Sequence, residues 1–156
     1  MSPEIINYFE IEEKLAEILK KDARTSRIND IDTTILVEEN LSQLTDSVPF
    51  IGIYLDDWET PAEVEFIGGK MRTFLDLELV LYEFNLENPE ACRRRDELLK
   101  TVKTVIKANR AMDGMVKMIW FKGGTFENAK GKGRGGDSEI GFFKGVTLKL
   151  RCEIRE

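Results

Sequence analysis

Residues 71–84, MRTFLDLELVLYEF, decide the fold. Leu75, Leu77, Leu79 and Leu81 recur at every second position, which places them on one face of an extended strand. Asp76, Glu78, Val80 and Tyr82 fall on the opposite face, so its middle is wet or set against a polar partner. Just downstream, Asn88-Pro89-Glu90 stops the strand and starts a helix. Asn caps, Pro takes the first helical position, and Glu meets the positive end of the helix. Ala91, Leu98, Leu99, Val102, Val105 and Ile106 make one apolar stripe on that helix. The leucine face of the strand is the nearest surface able to bury it.

Upstream, Gly68-Gly69 lies between the apolar run Val64–Ile67 and Lys70, the pattern of a tight β-hairpin turn that needs positive φ. Val48–Leu55 reads as a strand with Gly52 inside it, where a bulge or a close neighbour is expected. Asp56-Asp57-Trp58-Glu59-Thr60-Pro61 reads as an acidic connection. Its carboxylates beside an aromatic ring suit a metal or sugar site, a solvated loop with a partly packed Trp58, or an interface anchor. Thr33–Val37 is β-branched and suits a short strand, residues 22–32 read as loop, and Glu38–Asp46 is ambiguous. Ser2-Pro3-Glu4 is a second helix start, and the spacing predicts a helix over residues 3–21. Its stripe is Ile5, Ile6, Phe9, Leu15, Ile18 and Leu19, with Glu10, Glu12, Glu13, Lys14, Lys20 and Lys21 off it.

Past the second helix, Ala111-Met112-Asp113-Gly114 is an exit that uses Gly. Val116–Phe121 reads as a strand. Lys122–Gly141 is Gly-rich, and Gly124–Gly136 is a poor candidate for regular structure. Lys130, Lys132 and Arg134 make its tip basic. In Val146–Ile154, apolar residues alternate with Thr147, Lys149, Arg151 and Glu153, the mark of an antiparallel strand with one buried face. The expectation is a single α+β domain over residues 1–156. Its mainly antiparallel sheet has four or five strands and is packed by two long helices, with a long Gly-rich basic hairpin loop.

The composition fits that size: 156 residues, 42% hydrophobic, enough for one core and too few for two comfortable domains. No window approaches the ~20 apolar residues of a spanning helix, so no membrane partner is expected. The first residues lack the basic start and apolar core of a signal peptide, which suggests synthesis in the cytosol. Two cysteines, Cys92 and Cys152, make no disulfide framework and read as reduced core or boundary thiols. There is no histidine, which removes the commonest general base, metal ligand and partner of Ser or Cys nucleophiles. The net charge of −6 is unevenly spread. Residues 1–69 carry sixteen acids against five bases, and residues 70–156 thirteen against eighteen. Such a chain can pair acidic and basic surfaces between its own copies, unless folding mixes the two halves.

Residues 131–136, GKGRGG, invite a phosphate-loop reading and fail it. Gly131-Lys132 is followed by Gly133 where Ser or Thr must bind the metal, and a strand follows where a helix is needed. Three readings of the loop stay open: a solvated tip, an arm ordered by a neighbouring subunit, or a phosphate contact to DNA through Lys130, Lys132 and Arg134. Arg93-Arg94-Arg95 cannot share one helical face and is either a solvated patch or an interface cluster.

The assembled pattern is an acidic N-terminal helix, the Val48–Leu55 strand, the Gly68-Gly69 hairpin, the long Met71–Phe84 strand, the Pro-started helix and two last strands around a Gly-rich loop. It resembles the tail-terminator, or tail-completion, proteins of tailed bacteriophages, over about residues 1–156. The resemblance implies a non-enzymatic virion protein without catalytic residues, cofactor or metal. Such proteins form a hexameric ring that caps the tail tube, ends its polymerisation and meets the head-completion, or connector, complex. DNA passes through the channel unread, and the place of action is the neck of the virion. By position, the resemblance makes Gly68, Gly69 and loop 122–141 contact elements. The residues themselves add Trp58, Asp76, Glu78, Arg93, Arg94 and Arg95 as candidates for a subunit or tube interface. Three alternatives stand beside this: a head-completion or stopper protein of the neck, a small nucleic-acid-binding module using Lys130, Lys132, Arg134 and Arg93–Arg95, and a carboxylate enzyme using Asp56, Asp57 and Glu59.

Overall fold

The computed structural model describes residues 7–28, 30–33, 48–60, 66–67, 70–132 and 140–155. The fold is α+β. In chain order the elements are α1 (Phe9–Lys21), β1 (Asp30–Asp32), β2 (Phe50–Glu59), β3 (Phe66–Ile67), β4 (Lys70–Asn85), α2 (Asn88–Ala108), β5 (Met118–Lys132) and β6 (Ile140–Arg155). Five strands form a mixed sheet in the order β1-β2-β4-β6-β5, and the two-residue β3 pairs with β4 off that path. Only β1, which runs parallel to β2, departs from antiparallel pairing among the described strands.

β4 organises the rest, as its alternation requires. Leu75, Leu77, Leu79 and Leu81 are at most 1% exposed and face the helices. Cross-strand pairing extends that apolar plane to Ile51 and Ile53 of β2, to Leu148, Leu150 and Cys152 of β6, and to Ile119 of β5. Ile11, Leu15, Ile18 and Leu19 of α1 and Ala91, Leu98, Val102, Val105 and Ile106 of α2 close over it. Each such Leu or Ile contributes roughly 1.5–3 kcal/mol by leaving water. A smaller cluster, Phe50, Val80 and Tyr82, lies on the other face.

Several boundaries differ from the sequence expectation. α2 begins at Asn88 itself, with Glu87 as the capping residue, because Asn88 already has helical backbone and the Ala91 N–H donates to the Glu87 carbonyl. Glu12, expected off the apolar stripe, is buried, and its Oε1 accepts the Leu55 N–H at 3.0 Å. Asp30–Asp32, expected as loop, is a short strand because its partner Phe50–Gly52 is in reach there, and the strand expected at Thr33–Val37 lies, past Thr33, outside the described residues. Asp56–Glu59, expected as a connection, continues β2: a bulge between Leu55 and Asp57 resets the register and β4 supplies the partners. Residues 123–132 likewise continue β5, paired to β6 beyond a bulge at Phe121/Gly123, where Gly123 adopts φ 122°. A Cβ on Gly124 would meet the Thr147 carbonyl oxygen at 2.2 Å, so glycine lets the two strands lie this close. The exit from α2 turns left-handed at Met112, before the expected glycine, with φ 49°, 56° and 87° at Met112, Asp113 and Gly114. The helix start at Ser2-Pro3-Glu4, residues 34–46, the Gly68-Gly69 turn and the loop tip with Arg134 lie outside the described residues.

Candidate assembly surfaces

The sheet face turned away from the helices carries a polar network. The register sets Asp57, Asp76, Arg151 and Trp120 in one row across β2, β4, β6 and β5. Asp76 accepts from Arg151 Nε at 2.8 Å and Nη2 at 3.2 Å, and from Lys122 Nζ at 3.3 Å. The Arg151 hydrogen bond, reinforced by Lys122, holds the Asp76 carboxyl below the usual carboxylate range against the opposing effect of burial. Arg151 also reaches Glu59 at 3.3 Å and lies 5.3 Å from the centre of the Phe74 ring. Arg72 lies 4.8 Å from that centre, and Trp120 meets the ring edge-on at 6.0 Å. Further along, Tyr54 OH donates to Glu78, and Tyr82 OH donates to Glu127 at 2.6 Å. Burial first, then the facing carboxylate, pushes both phenols up.

Asp76 and Glu78, expected on a wet acidic face, thus each accept a hydrogen bond from another strand. An aspartate held ionised by a guanidinium and an ammonium is a poor proton donor and a poor base. Its role in this geometry is to lock β4 to β6 and β5. Asp57 accepts from the backbone N–H of Trp58 at 2.8 Å, and Glu59 pairs with Arg151. Among the described residues, no group of three or more Asp, Glu, Cys or His side chains is placed to hold a metal ion.

The second surface is basic and spans α2 and β5. Arg93 and Arg94 pair with Glu90 at 3.5 and 3.3 Å, and Arg95 donates to Asp96 at 3.1 Å. Arg95 also lies 4.6 Å from the centre of the Phe126 ring, while Lys103 and Lys107 stand 5.8 and 6.0 Å from that of Phe121. A shallow groove of about 150 Å³ runs between the two elements, floored by Val146 and Leu148 and walled by Leu99, Phe121 and Phe126. Two glycines, Gly123 and Gly124, keep its strand side low. Phe126 is 60% exposed, and Trp58, near the end of β2, is 61% exposed.

The candidate residues therefore divide. Arg95 is joined to β5 through Phe126, and Lys130 stands 5.9 Å from the Phe142 ring on the same hairpin. Lys132 ends β5. Trp58 stands apart from these, near the end of β2. Gly68, Gly69 and Arg134 lie outside the described residues. Sequence reasoning missed Arg151, Lys122, Tyr54, Lys103, Lys107 and Phe126. The alternation of Val146–Ile154 did place Arg151 on the wet face, but the strand opposite it was not legible.

No family model matches this chain, and no curated protein matches it. Among solved structures, a chain of the virion of a native gene transfer agent particle is similar. The TM-score is 0.44 at 9% identity, over 94% of this chain and 95% of that one. A likeness of that size leaves the role of this chain open. No helix among the described residues is long and apolar enough to cross a membrane.

Proposed function

We propose that this chain is a non-enzymatic structural protein of a phage-type virion neck. It is a tail terminator whose copies form a ring, a hexamer in the family it resembles. The ring caps the tail tube, ends tail polymerisation and offers its other side to the head-completion complex. The observation that carries the reading is the separation of charge in the folded chain. α2 holds six Lys and Arg against three acids and borders β5, whereas β2 holds three acids and no base. Ring contacts of the head-to-tail kind use two different patches on each subunit, and opposite charge on the two selects the partner. The order of elements, helix, strands, helix and two strands, agrees with the resemblance drawn from the sequence.

Native mass spectrometry at micromolar protein, with and without the tail-tube protein of the same virus, tests this. Closed oligomers in either mixture are expected. A strict monomer in both would overturn the reading. A pull-down against the tube protein and against the portal-side partner separates a terminator from a stopper.

The basic surface favours one second reading, binding of duplex DNA through phosphates by Arg93–Arg95, Lys100, Lys103 and Lys130. It requires micromolar affinity at low salt that falls steeply as salt rises. No binding at 50 mM salt would remove it.

A further inference from the structure

β5 forms one edge of the sheet. Its start is closed: the Ile119 N–H donates to the Arg110 carbonyl at 2.9 Å, and Arg110 Nη1 donates to the Ile119 carbonyl at 3.2 Å. Over residues 123–132 it pairs with β6 on one side, and among the described residues no backbone partner meets the other side. A strand edge left open in this way is a template for one more strand. The groove between α2 and β5 runs beside the open stretch. Phe121, Gly124 and Phe126 pair with Leu150, Leu148 and Val146, which belong to the helix-side core. Groove, open edge and α2 therefore share one face of the sheet.

The unspent charge on that face has one sign. Among the described residues, the ion pairs of α2 give Glu90 and Asp96 to its three arginines and leave Lys103 and Lys107 without a carboxylate. Both lysines lean over Phe121, and Arg95 leans over Phe126. Glu97 lies on the other flank of α2, beside Arg24 and Arg27, and Glu127 is turned to the opposite sheet face and bonded to Tyr82. Between Phe121 and Phe126 the two glycines leave a gap in the row of side chains, with Val146 and Leu148 beneath it. A strand added at the edge turns every second side chain to this face. One apolar side chain fits the glycine gap. The residues two positions to either side of it then reach Phe121 under Lys103 and Lys107, and Phe126 under Arg95. A DNA duplex offers phosphates, but neither a free strand edge nor an aliphatic side chain. The β5 edge of a second copy would set lysines against lysines.

We infer that residues 123–132 of β5, with the groove beside them, dock an extended acidic segment of a partner protein as an added strand. The segment has an apolar residue flanked, two positions away on each side, by carboxylates. Backbone hydrogen bonds to β5 hold it, the glycine gap takes the apolar side chain, and Lys103, Lys107 and Arg95 select the acids. The contact is independent of ring closure.

The test is fluorescence anisotropy of the full chain with the labelled peptide Thr-Asp-Thr-Leu-Thr-Asp-Thr, read beside amide hydrogen exchange. The peptide is expected to bind at least about tenfold more tightly than its counterparts with Lys for Asp or Ser for Leu. A form N-methylated along its backbone is expected to lose binding. Exchange over residues 123–132 is expected to slow in the complex. Lys103→Glu with Lys107→Glu, its fold checked by circular dichroism, is expected to reverse the preference toward the Lys peptide. Binding that ignores the sign of the peptide, survives N-methylation or leaves those amides unprotected overturns the docking site. Absence of peptide binding also overturns it, and binding of a short DNA duplex in that case gives the surface to phosphate recognition. Self-association of the chain alone, with those same amides protected, overturns it in favour of a second copy. Self-association with those amides still exchanging leaves it standing, and a strict monomer that binds the peptide supports it while counting against the ring.

Discussion

At the scale of the residue, Asp76 shows how a polar side chain on a sheet becomes structural. It is 14% exposed and holds two cations from two strands. Replacing it by Asn takes the counter-charge from Lys122 and leaves Arg151 with the more exposed Glu59. We expect Asp76→Asn to cost about 1–3 kcal/mol in urea unfolding at neutral pH. Because the folded carboxyl is held below its ordinary value, its contribution is complete above the unfolded pKa of about 3.9 and fades as pH falls through the lower folded value. The gap between the wild type and Asp76→Asn should therefore close in strong acid, and a gap unchanged at pH 2 would refute the assignment. The two thiols make a second residue-level contrast. Burial pushes Cys152 up to about 12, whereas Cys92 is partly exposed on α2. A thiol reagent at pH 8 should label Cys92 in the native protein and reach Cys152 only in denaturant. Gly145 shows why a small residue is needed beneath an aromatic: a Cβ there would lie 2.5 Å from Cε1 of the Tyr82 ring, which needs the space to reach Glu127.

At the scale of the element, β4 carries the fold, bonded to β2 on one side and β6 on the other. Leu79 lies in its middle at 0% exposure, so Leu79→Ala should lose 2–5 kcal/mol, roughly the cost of a buried leucine and the cavity left behind. Phe126→Ala, on the exposed edge strand, should fall within about 1 kcal/mol of the wild type in the monomer. Equal losses for the two would mean that Phe126 is part of the core. The contact of α1 with β2 rests partly on one bond, from the Leu55 N–H to Glu12. Removing that acceptor in Glu12→Ala should cost about 1–3 kcal/mol, as for an orphaned buried donor. An unchanged urea midpoint would show that water replaces it.

At the scale of the whole molecule, the charge separation makes assembly salt-dependent. Screening shortens from about 10 Å at 0.1 M to about 3 Å at 1 M. Oligomers held by Asp56, Asp57 and Glu59 against the lysines and arginines of α2 and β5 should therefore dissociate as salt rises, read by light scattering. Assembly that strengthens with salt would point to an apolar contact in place of this one.

The leucine alternation of β4, the stripes of the two helices and the alternation of Val146–Ile154 are local periodicities. A chain bearing them can bury its apolar atoms in few ways, so α+β architecture and the order of elements follow from the sequence alone. So did the buried state of Cys152 and the wet orientation of Arg151. What the sequence could not settle was pairing. Asp56–Glu59 and Gly123–Lys132 have composition suited to loops, and they are strands because β4 and β6 lie alongside with free hydrogen-bonding groups. Glu12 is buried because the Leu55 N–H, forty-three positions away, needs an acceptor. Trp58 and Phe126 share a face because two bulges set the register on opposite sides of the sheet. Those outcomes depend on contacts between distant segments, which only the tertiary structure could decide.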